Sequence, residues 1–535
     1  MYLLDTRWKQ MHNAMRVREG TVTITGSHPH SRWSLCAQGH SILSQYQASY
    51  PAILDIATYL SLNKLFGHTA KGREEQSRTA FLVARPCRKA MAYGGTLDVI
   101  VGHEHRRCHM SAGTDPQPDQ GTDQEVACFD LLDPRFQPDG PEVHAAREAC
   151  WYARTPLGYA ILRYDEMAAL LRDRHLRQGG VETLAAQGIT TGPMADWMRR
   201  MMLNIEGEEH TRLRLLVSKA FTPRAVDALR PVMRAVTHEL IDRFAAHGEC
   251  EFMAAFADPY PSRIICELLG IPRERYAQFH GWANDLGLGF SYAVAAHLAR
   301  IEAALQGLYA CVDDLLAARR AAPGPDLISA LLAAEEAGDR LHDEELRAMV
   351  ALLVFAGQDT VRNQLGCALT TFLEHPAQWA RLAAEPALAP RAVEEVMRVR
   401  PAVPAVWRVA AEDFEFRGLR IAAGTFLSMF AAAAHTDPRV FGAAEFDISE
   451  ERPAQLSFGG GIHYCLGAPL ARAEMEEALP ILAARLRAPE LAGSVPWRPA
   501  MGIRGPVTLP IRFRAAACVC DTDTSPALDR TQGRG

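Results

Sequence analysis

The sequence predicts an α+β fold that is mainly helical, with small β-sheets near both ends of one large domain. Two observations support this prediction. From about residue 165 to about residue 390 the chain consists largely of Ala/Leu/Arg/Glu runs broken by single prolines, the pattern of successive helices. Short stretches with the residue types and alternation of strands occur before this helical body and again after it.

These elements can be placed in chain order. A β-hairpin is predicted around Pro156-Leu157-Gly158, and Asp165 then caps the start of a helix. The longest helix candidate runs from Asp343 to Glu374, and at 1.5 Å per residue it would span about 45 Å, enough to cross the domain. Further strands are predicted at 414–421, 425–430 and 507–513.

Composition divides the chain into three parts. Residues 1–125 have weak apolar periodicity and are predicted to be disordered or to contain a wrongly assigned start: residues 1–109 would come from an over-extended reading frame, with Met110 as the true start. Residues 126–515 form the globular domain, and residues 516–535 are predicted to be a disordered tail. Peptides from before Met110 in the native protein would contradict the later start. The cluster His103–His109 could suggest a metal site, but in such a segment we expect it to be incidental.

Size, charge and cysteine usage limit the class of protein. The chain has 535 residues, of which 48% are hydrophobic and 22% charged, an ordinary globular balance. A net charge of -6 gives no reason to expect nucleic acid or an anionic membrane as a partner. The cysteines have no repeating spacing, which suits a reducing compartment, and no apolar run is long enough for a membrane span. We therefore predict a cytoplasmic location.

One cysteine stands out by its neighbours. The stretch Phe458-Gly-Gly-Gly-Ile-His-Tyr-Cys465-Leu-Gly places three glycines before Cys465, and an apolar helical pattern begins directly after it. Glycines let a flat ligand approach the backbone closely, and amide groups at a helix start favour a thiolate. Such a thiolate is a good axial ligand for haem iron. From this pattern alone, a buried free cysteine in a glycine-rich turn fits about equally well.

Two further motifs lie in predicted helices. The long helix contains Ala356-Gly357-Gln358-Asp359-Thr360 in its middle. A glycine costs about 1 kcal/mol in a helix interior, so this one indicates a close approach or a local distortion. An acid beside a hydroxyl at that point could relay protons. Glu395 and Arg398 lie on one face of another helix and can pair. Taken alone, the first motif fits ordinary helix packing and the second a surface ion pair.

The three motifs, in their order along the chain, resemble those of the cytochrome P-450 family. Its pattern Phe-Gly-x-Gly-x-His-x-Cys-Leu-Gly is matched at every fixed position from Phe458 to Gly467. The resemblance covers roughly residues 130–515 and implies the cytochrome P-450 fold of the soluble bacterial type, a single domain that encloses haem b with Cys465 as the axial thiolate. The implied activity is that of a haem-thiolate monooxygenase, which inserts one oxygen atom of O2 into a hydrophobic small molecule by hydroxylation or epoxidation.

The resemblance also implies roles for single residues. Thr360 would hydrogen-bond bound dioxygen and Asp359 would connect that site to solvent, so these two are the catalytic candidates. Glu395 and Arg398 would brace the loop before the cysteine, which is a structural role. The candidates for binding the cofactor, through its propionates, its ring or its iron, are His210, Arg214, Arg408, His463, Phe458 and Cys465.

The electron donor and the substrate follow from the same resemblance. The chain has no flavin or iron–sulfur motif, so electrons would come from a separate ferredoxin or flavodoxin with its NAD(P)H-dependent reductase. We expect this partner to dock near Cys465, where Arg472 could meet an acidic surface. Phe355 is expected to narrow the space above the iron, and the substrate could be a terpenoid, steroid, fatty acid or polyketide. By family analogy the substrate pocket is formed by residues 182–197, 282–292, 352–356 and 403–406.

Two other functions stay open at this point. A peroxygenase on the same fold usually lacks the acid–alcohol pair, so Asp359 and Thr360 argue against it. A non-catalytic binding module tends to lose the cysteine or the helix motif, and this chain keeps both. Turnover with peroxide alone would identify a peroxygenase. A carbon monoxide difference spectrum without the thiolate band would identify the binding module.

Overall fold

The computed structural model divides the chain into two units, Met1–Pro118 and Asp119–Gly535. It describes six strands within the first unit and residues 126–515 of the second, apart from 132, 134–135, 291–293, 337–338, 444 and 500–501. The strands of the first unit are β1 (Ala14–Arg18), β2 (Thr21–Thr25), β3 (Arg32–Cys36), β4 (Ala80–Leu82), β5 (Leu97–Val101) and β6 (Glu104–Cys108).

The strands of the first unit form an antiparallel sheet of order β3-β2-β1-β4 and a separate antiparallel β5-β6 pair. They lie in the segment for which the sequence predicts disorder or a false start. That prediction, like the start at Met110, stays a prediction for the native protein. The side chains of the cluster His103–His109 lie outside the described residues.

The second unit is mostly helical. Its helices are α1 (Pro141–Ala149), α2 (Tyr164–Leu170), α3 (Gly180–Ala186), α4 (Pro193–Arg200), α5 (Gly207–Ala220), α6 (Pro223–Asp242), α7 (Pro259–Leu269), α8 (Tyr276–Gly287), α9 (Val294–Ala321), α10 (Leu327–Ala333), α11 (Asp343–Glu374), α12 (Pro376–Ala384), α13 (Ala389–Val399), α14 (Ala431–Ala434), α15 (Pro438–Phe441) and α16 (Ala468–Arg485). Its strands are β7 (Tyr152–Thr155), β8 (Gly158–Ile161), β9 (Leu176–Gln178), β10 (Glu249–Glu251), β11 (Glu335–Glu336), β12 (Asp339–Arg340), β13 (Val406–Ala410), β14 (Phe414–Phe416), β15 (Leu419–Ile421), β16 (Phe426–Met429), β17 (Leu486–Leu491) and β18 (Pro510–Ala515).

A five-stranded mixed sheet of order β7-β8-β16-β13-β9 joins the start of this unit to its later part. The predicted hairpin is confirmed as β7 and β8, and Gly158 begins β8 with a φ of 148°. A Cβ at this glycine would lie 2.2 Å from the carbonyl oxygen of Phe426 on β16, so only glycine permits this close parallel pairing. In the antiparallel pair of β13 and β9, Arg408 stands opposite Gln178.

Helix α11 forms the centre of the largest hydrophobic core. The structure confirms the predicted bounds Asp343–Glu374, and three acidic residues in the first turn complement the helix dipole. Most side chains between Leu346 and Phe372 are buried on every side of the helix, as expected for a helix without a polar face. Helices α7, α8, α9, α13 and α16 pack against it. The middle of α11 is therefore held in the interior of the domain.

A hairpin near the end of the chain returns to this central helix. Residues 497–506, apart from 500–501, form what we call the C-terminal hairpin; Trp497 and Pro506 are bridged, and the Arg498 N–H donates to the Gly505 carbonyl at 2.9 Å. The strand predicted from residue 507 begins only at Pro510, because the Val507 N–H is already bonded to the Pro496 carbonyl. Among the described residues, no helix combines the length and the apolar character that crossing a membrane requires.

Candidate active site

The loop before Cys465 is closed by its own backbone. The Cys465 N–H donates to the carbonyl of Phe458 at 3.0 Å. Gly459 and Gly461 have φ values of 72° and 66°, which side-chain-bearing residues rarely adopt. A Cβ at Gly461 would also lie 2.8 Å from the backbone oxygen of Leu171. The glycines thus allow a compact turn that presents the cysteine directly before helix α16.

The Cys465 side chain opens into a cavity inside the domain. Burial raises the pKa of its thiol, and the Gly467 N–H, the Arg214 charge, the Ala468 N–H and the Arg472 charge lower that pKa only in part. The expectation of a favoured thiolate is therefore met incompletely: amides and cations act in the expected direction, but burial outweighs them. A metal ion at the sulfur would complete the effect, because a coordinated thiol loses its proton.

The cavity has a volume of about 440 Å³, a size typical of small-molecule sites. It brings together Cys465, a group of basic residues, the middle of α11 and a wall of mostly apolar side chains. All of the sequence-predicted site residues except Asp359 line it. The lining includes His210, Arg214, Phe355, Ala356, Thr360, Arg408, Phe458, His463, Cys465 and Glu474.

Helix α11 passes the cavity at the predicted motif. The Thr360 hydroxyl lines the cavity and donates to the carbonyl of Ala356, one turn earlier, at 2.9 Å. A Cβ at Gly357 would lie 2.8 Å from Cδ1 of Ile265 on α7. Of the two explanations for this glycine, close approach is confirmed, whereas the helix itself is continuous through the motif.

Asp359 does not line the cavity, although it is the neighbour of Thr360. Its buried carboxylate accepts hydrogen bonds from Nη1 of Arg498, at 3.0 Å to Oδ1 and 3.2 Å to Oδ2, and from Nδ2 of Asn363 at 3.1 Å. The structure therefore turns the acid toward the C-terminal hairpin and the alcohol toward the cavity. Sequence reasoning missed Arg498 because it lies 139 residues from Asp359 and belongs to no motif.

Arg408 is a deeply buried base of the group. Only 3% of it is exposed. Its Nη1 donates to the Gln178 side chain and to the Trp407 carbonyl, both at 2.9 Å. Burial lowers the pKa of Arg408 to about 10, and the Glu206 charge opposes this shift. No described carboxylate forms an ion pair with Arg408, so the pairing of β13 with β9 presents a buried guanidinium to the cavity.

Two histidines, His210 and His463, line the same cavity as Arg408. The rings of His210 and His463 have centroids 4.5 Å apart, and Nε2 of His463 lies 2.9 Å from Oε1 of Glu206. Burial lowers the pKa of His210, and the His463 ring adds to the decrease. Burial raises the pKa of Glu206, but hydrogen bonds from His463 and the Gln178 N–H lower it below its usual value. Sequence reasoning missed Glu206, whose position one helical turn before His210 was the available signal.

These residues fit an iron porphyrin with two carboxylates. Arg214 donates to the Tyr464 carbonyl at 2.8 Å, and, like Arg408, it has no ion pair with any carboxylate in the part that the structure describes. Unpaired guanidinium groups in an apolar cavity are costly, and a ligand with two carboxylates would relieve that cost. Because the Cys465 sulfur supplies a soft metal ligand in the same cavity, the donor set is that of a haem-thiolate protein.

Phe458 and Arg472 form a further contact in this loop. The Arg472 guanidinium lies 4.4 Å from the centre of the Phe458 ring, and its Nε pairs with Glu394 at 2.5 Å. Nη1 of Arg472 also donates to the Tyr464 hydroxyl at 3.2 Å. Arg472, predicted as a docking residue, is therefore already engaged within the protein.

The predicted brace is present. Both Glu395 and Arg398 are buried, and they form two hydrogen bonds of 2.8 Å with each other. Arg398 also donates to the carbonyl of His435 at 3.1 Å, and Nε2 of His435 accepts from the Leu456 N–H at 2.7 Å. Burial lowers the pKa of His435 to about 3, so the ring is neutral and can accept. These contacts connect helix α13 to the segment that leads into the Cys465 loop.

Glu474 is a cavity residue that sequence reasoning missed. It lies on α16, is 1% exposed, and neither of its carboxyl oxygens has a hydrogen-bond partner among the described residues. Burial raises the pKa of Glu474 well above its usual value. A glutamate among the apolar positions of a helix was the signal that could have found it.

Comparison with known proteins agrees with the site. The family model described as Cytochrome P-450 matches residues 291–488. Luteothin monooxygenase of Streptomyces thioluteus is 43% identical over 399 residues, which cover 73% of this chain and 97% of that protein. The 6-deoxyerythronolide B hydroxylase of Saccharopolyspora erythraea is 36% identical, over 66% of this chain and 90% of that protein.

Solved structures agree with the fold. The structure of CYP109Q5 from Chondromyces apiculatus matches with a TM-score of 0.65 and 33% identity, over 73% of this chain and 99% of that one. The chain belongs to the cytochrome P-450 family. It is a haem monooxygenase of the bacterial type that uses haem b with a cysteine thiolate ligand. The predicted family, fold class, enzyme class and cofactor are confirmed.

Proposed function

We propose that the protein hydroxylates or epoxidises a polyketide-type small molecule in the cavity between Cys465 and helix α11. The observation that supports this best is the cavity itself, which places an apolar wall, the thiol and Thr360 around one space. Among the relatives, PksS of Bacillus subtilis, 34% identical over 70% of this chain and 94% of that protein, is named for polyketide biosynthesis. Another, from Micromonospora griseorubida, is named mycinamicin IV hydroxylase/epoxidase.

The cavity wall has an aromatic side. The rings of Phe290 and Phe355 stack with centroids 4.1 Å apart and an interplanar angle of 7°. Both residues line the cavity, as do the predicted segments 182–197 and 403–406 through several of their members. The C-terminal hairpin adds Gly502 and Ile503, which the sequence did not predict. Such a wall favours an extended, largely apolar ligand with an unsaturated or planar portion.

In this proposal Cys465 would ligate the haem iron, and the basic residues would hold the propionates. When bound, haem with a thiolate ligand supplies the activation of dioxygen. Arg408 and Arg214 are suited to a carboxylate because guanidinium binds it through parallel hydrogen bonds. His210 and His463 would complete the clamp. Phe458, which lines the same cavity, would help to hold the ring.

The chain's own part in the reaction is to orient the substrate, exclude water and supply protons. The Thr360 hydroxyl gives its hydrogen to the Ala356 carbonyl, so its oxygen can accept a hydrogen bond from the cavity. Asp359 would bring protons from outside, since Arg498, its bonding partner, is partly exposed. The apolar wall keeps bulk water from competing with the substrate.

We further propose that electrons come from a separate ferredoxin or flavodoxin with its NAD(P)H-dependent reductase. Bacterial members of the family generally receive electrons from redox partners, which supports a separate donor. Because Arg472 is engaged with Glu394, the exposed Ile462 and Tyr464 of the cysteine loop are the better candidates for contact with the partner. The described cysteines are all free thiols, which supports a cytoplasmic location.

A ligand screen tests the proposed substrate class. Purified haem-loaded protein is titrated with macrolide precursors, linear polyketides, steroids and fatty acids, and the haem spectrum is followed for a low- to high-spin change. We expect polyketides to give the change and, with a surrogate redox chain, a product that has gained one oxygen atom. A change with steroids or fatty acids alone would overturn the proposed class. Equal turnover with peroxide alone would favour the peroxygenase alternative.

A further inference from the structure

The C-terminal hairpin contacts both the cavity and the acid of the proposed relay. Gly502 and Ile503 form part of the cavity wall. Arg498, in the first arm of the same hairpin, holds Asp359. One short element therefore contacts the place where a ligand binds and the carboxylate that would supply protons to it.

The second arm of the hairpin is fastened to its surroundings. A Cβ at Gly505 would lie 2.3 Å from Oδ1 of Asn363, so the backbone passes directly against helix α11. The neighbouring Arg504 pairs with Asp139 at 3.0 Å. These contacts keep the second arm of the hairpin against the helix whose carboxylate Arg498 binds.

The hydrogen bonds of Asp359 direct its carboxylate out of the cavity. Both oxygens lie within 3.2 Å of Nη1 of Arg498, and Oδ1 also accepts from Asn363. Arg362 is farther away, at 3.9 Å, and is itself paired with Asp258. Removing the hydrogen-bond donors of a buried carboxylate costs free energy. The carboxylate therefore stays turned away from Thr360 for as long as Arg498 holds it.

We propose that Arg498 is a positioning residue that keeps Asp359 in this closed arrangement and releases it when a ligand contacts Gly502 and Ile503. The inference rests on the proposed relay of Asp359 and Thr360. A ligand shifts such an equilibrium only if it contacts the two arrangements differently, and in this proposal its contacts with Gly502 and Ile503 make that difference. The Arg498 side chain is 31% exposed, so water can solvate its guanidinium after release.

The proton transfers balance in this scheme. A hydronium ion from solvent protonates the freed Asp359 carboxylate and leaves water, and Asp359 then gives this proton to the hydrogen-bonded chain that begins at Thr360. The carboxylate returns to its anionic form and pairs again with Arg498. Only O–H bonds form and break at these residues. Without a ligand, the closed arrangement withholds protons and so prevents wasteful consumption of reductant.

The first test removes the pair in the full-length, haem-loaded protein. Arg498→Met keeps the length of the side chain and removes its charge, whereas Arg498→Lys keeps the charge. With a surrogate ferredoxin and reductase but no ligand, we expect Arg498→Met to raise reductant oxidation and peroxide release at least about five-fold, the lower end of ordinary coupling between sites. Arg498→Lys should keep the ligand-free rate of reductant oxidation close to that of the wild type. An unchanged ligand-free rate in Arg498→Met would overturn the proposal.

A double-mutant cycle and a control show whether Arg498 acts through Asp359. In an Asp359→Asn background, Arg498→Met should have no further effect, because the two residues act as one unit. The same increase in both backgrounds would overturn the proposal. Arg504→Met loosens the hairpin but leaves the Arg498–Asp359 pair in place. An increase of the same size in that control would show general loosening instead, and would also overturn it.

A final readout needs no turnover. Hydrogen–deuterium exchange is measured over residues 497–507 with and without a ligand that changes the haem spectrum. We expect the ligand to change exchange there in the wild type, and Arg498→Met without ligand to resemble the ligand-bound wild type. Identical exchange in all states would contradict the proposal. If no polyketide changes the spectrum, the proposed substrate class fails, whereas the ligand-free oxidation rates still decide the role of Arg498.

Discussion

At the scale of single residues, the cysteine depends on groups that lie far from it in the sequence. Burial raises the pKa of the Cys465 thiol, and Arg214, from helix α5, is among the groups that lower it. The same Arg214 donates to the Tyr464 carbonyl next to the cysteine. A thiol in this setting needs the bound iron to become a thiolate. The Cys465 thiolate and the bound haem would therefore stabilise each other.

Replacement of the ligand tests this dependence. Cys465→Ser should abolish the thiolate band in the carbon monoxide difference spectrum and the oxygenase activity, because a hydroxyl is a poor soft donor. Cys367→Ser, at a buried cysteine outside the cavity, is the control and should keep the band. Survival of both the band and the activity in Cys465→Ser would contradict the assignment.

Glu474 makes stability depend on pH. Its folded-state pKa is raised by burial, so the folded protein keeps the proton when the unfolded chain has already lost it. Its contribution is fully present below the usual glutamate pKa and is lost as pH rises toward the folded-state pKa. Glu474→Gln lacks this titration. We expect its free energy of unfolding, relative to the wild type, to rise by up to about 1.4 kcal/mol per pH unit over that interval.

The measurement is urea unfolding of both proteins at several pH values between about 5 and about 7. A difference between wild type and Glu474→Gln that stays constant with pH would show that the carboxyl finds a compensating partner. Glu476→Gln is a suitable control, since that residue pairs with Arg230 and shows no comparable burial.

Phe355 is predicted to limit the size of the ligand. Phe355→Ala should admit bulkier ligands and leave Phe290 without its stacking partner. Spin-state titrations with ligands of increasing size measure the change. Phe279→Ala removes a buried phenylalanine that does not line the cavity, so it should lower stability by a similar amount without widening the ligand range. An unchanged ligand range in Phe355→Ala would refute its role.

At the scale of elements, the site is assembled by one long helix, one loop and two strands. Helix α11 contributes Thr360, β13 contributes Arg408, and the antiparallel register with β9 provides Gln178 as its partner. The brace of α13 holds the segment before the cysteine loop through His435. Each element brings one side of the cavity, so the site exists only when their relative positions are correct.

The brace offers a test at this scale. Arg398→Met should lower the free energy of unfolding by about 3–5 kcal/mol, because Glu395 is left as a buried charge without its partner. The double variant Glu395→Leu/Arg398→Met removes both charges and should recover much of that loss. Thermal unfolding of the haem-loaded proteins compares them. Equal losses in the single and double variants would show that the guanidinium is needed for its contacts to the backbone of the loop.

At the scale of the whole molecule, residues 291–488, which match the family model, lie in the second unit, as do the residues that line the cavity. Luteothin monooxygenase matches over 399 residues, which are 97% of its own chain. We therefore expect a chain that starts at residue 119 to bind haem and ligands as the full-length protein does. Spectra and ligand titrations of both forms measure this. Loss of haem incorporation in the shorter chain would show that the first unit is required.

Local patterns predicted much of this architecture because they depend on neighbours in the chain. The bounds of α11, the β7–β8 hairpin and the cysteine loop each follow from capping residues, glycines and apolar spacing within one element. The partners of Asp359, His463 and Arg408 were not predictable in this way. They come from distant segments that only packing brings together.

The sequence by itself determined the family and its cofactor, and it predicts Cys465 as the haem ligand and Asp359 with Thr360 as the acid–alcohol pair, since these reside in short contiguous motifs whose spacing carries the chemistry. The tertiary structure alone decided which way each side chain turns. It directs Thr360 into the cavity, holds Asp359 on Arg498, and leaves the Glu474 carboxyl without a hydrogen-bond partner in the part of the chain that is described. The physical reason is that burial and hydrogen bonding are properties of the packed chain, so the charge state and direction of a group are set by residues that no local pattern contains.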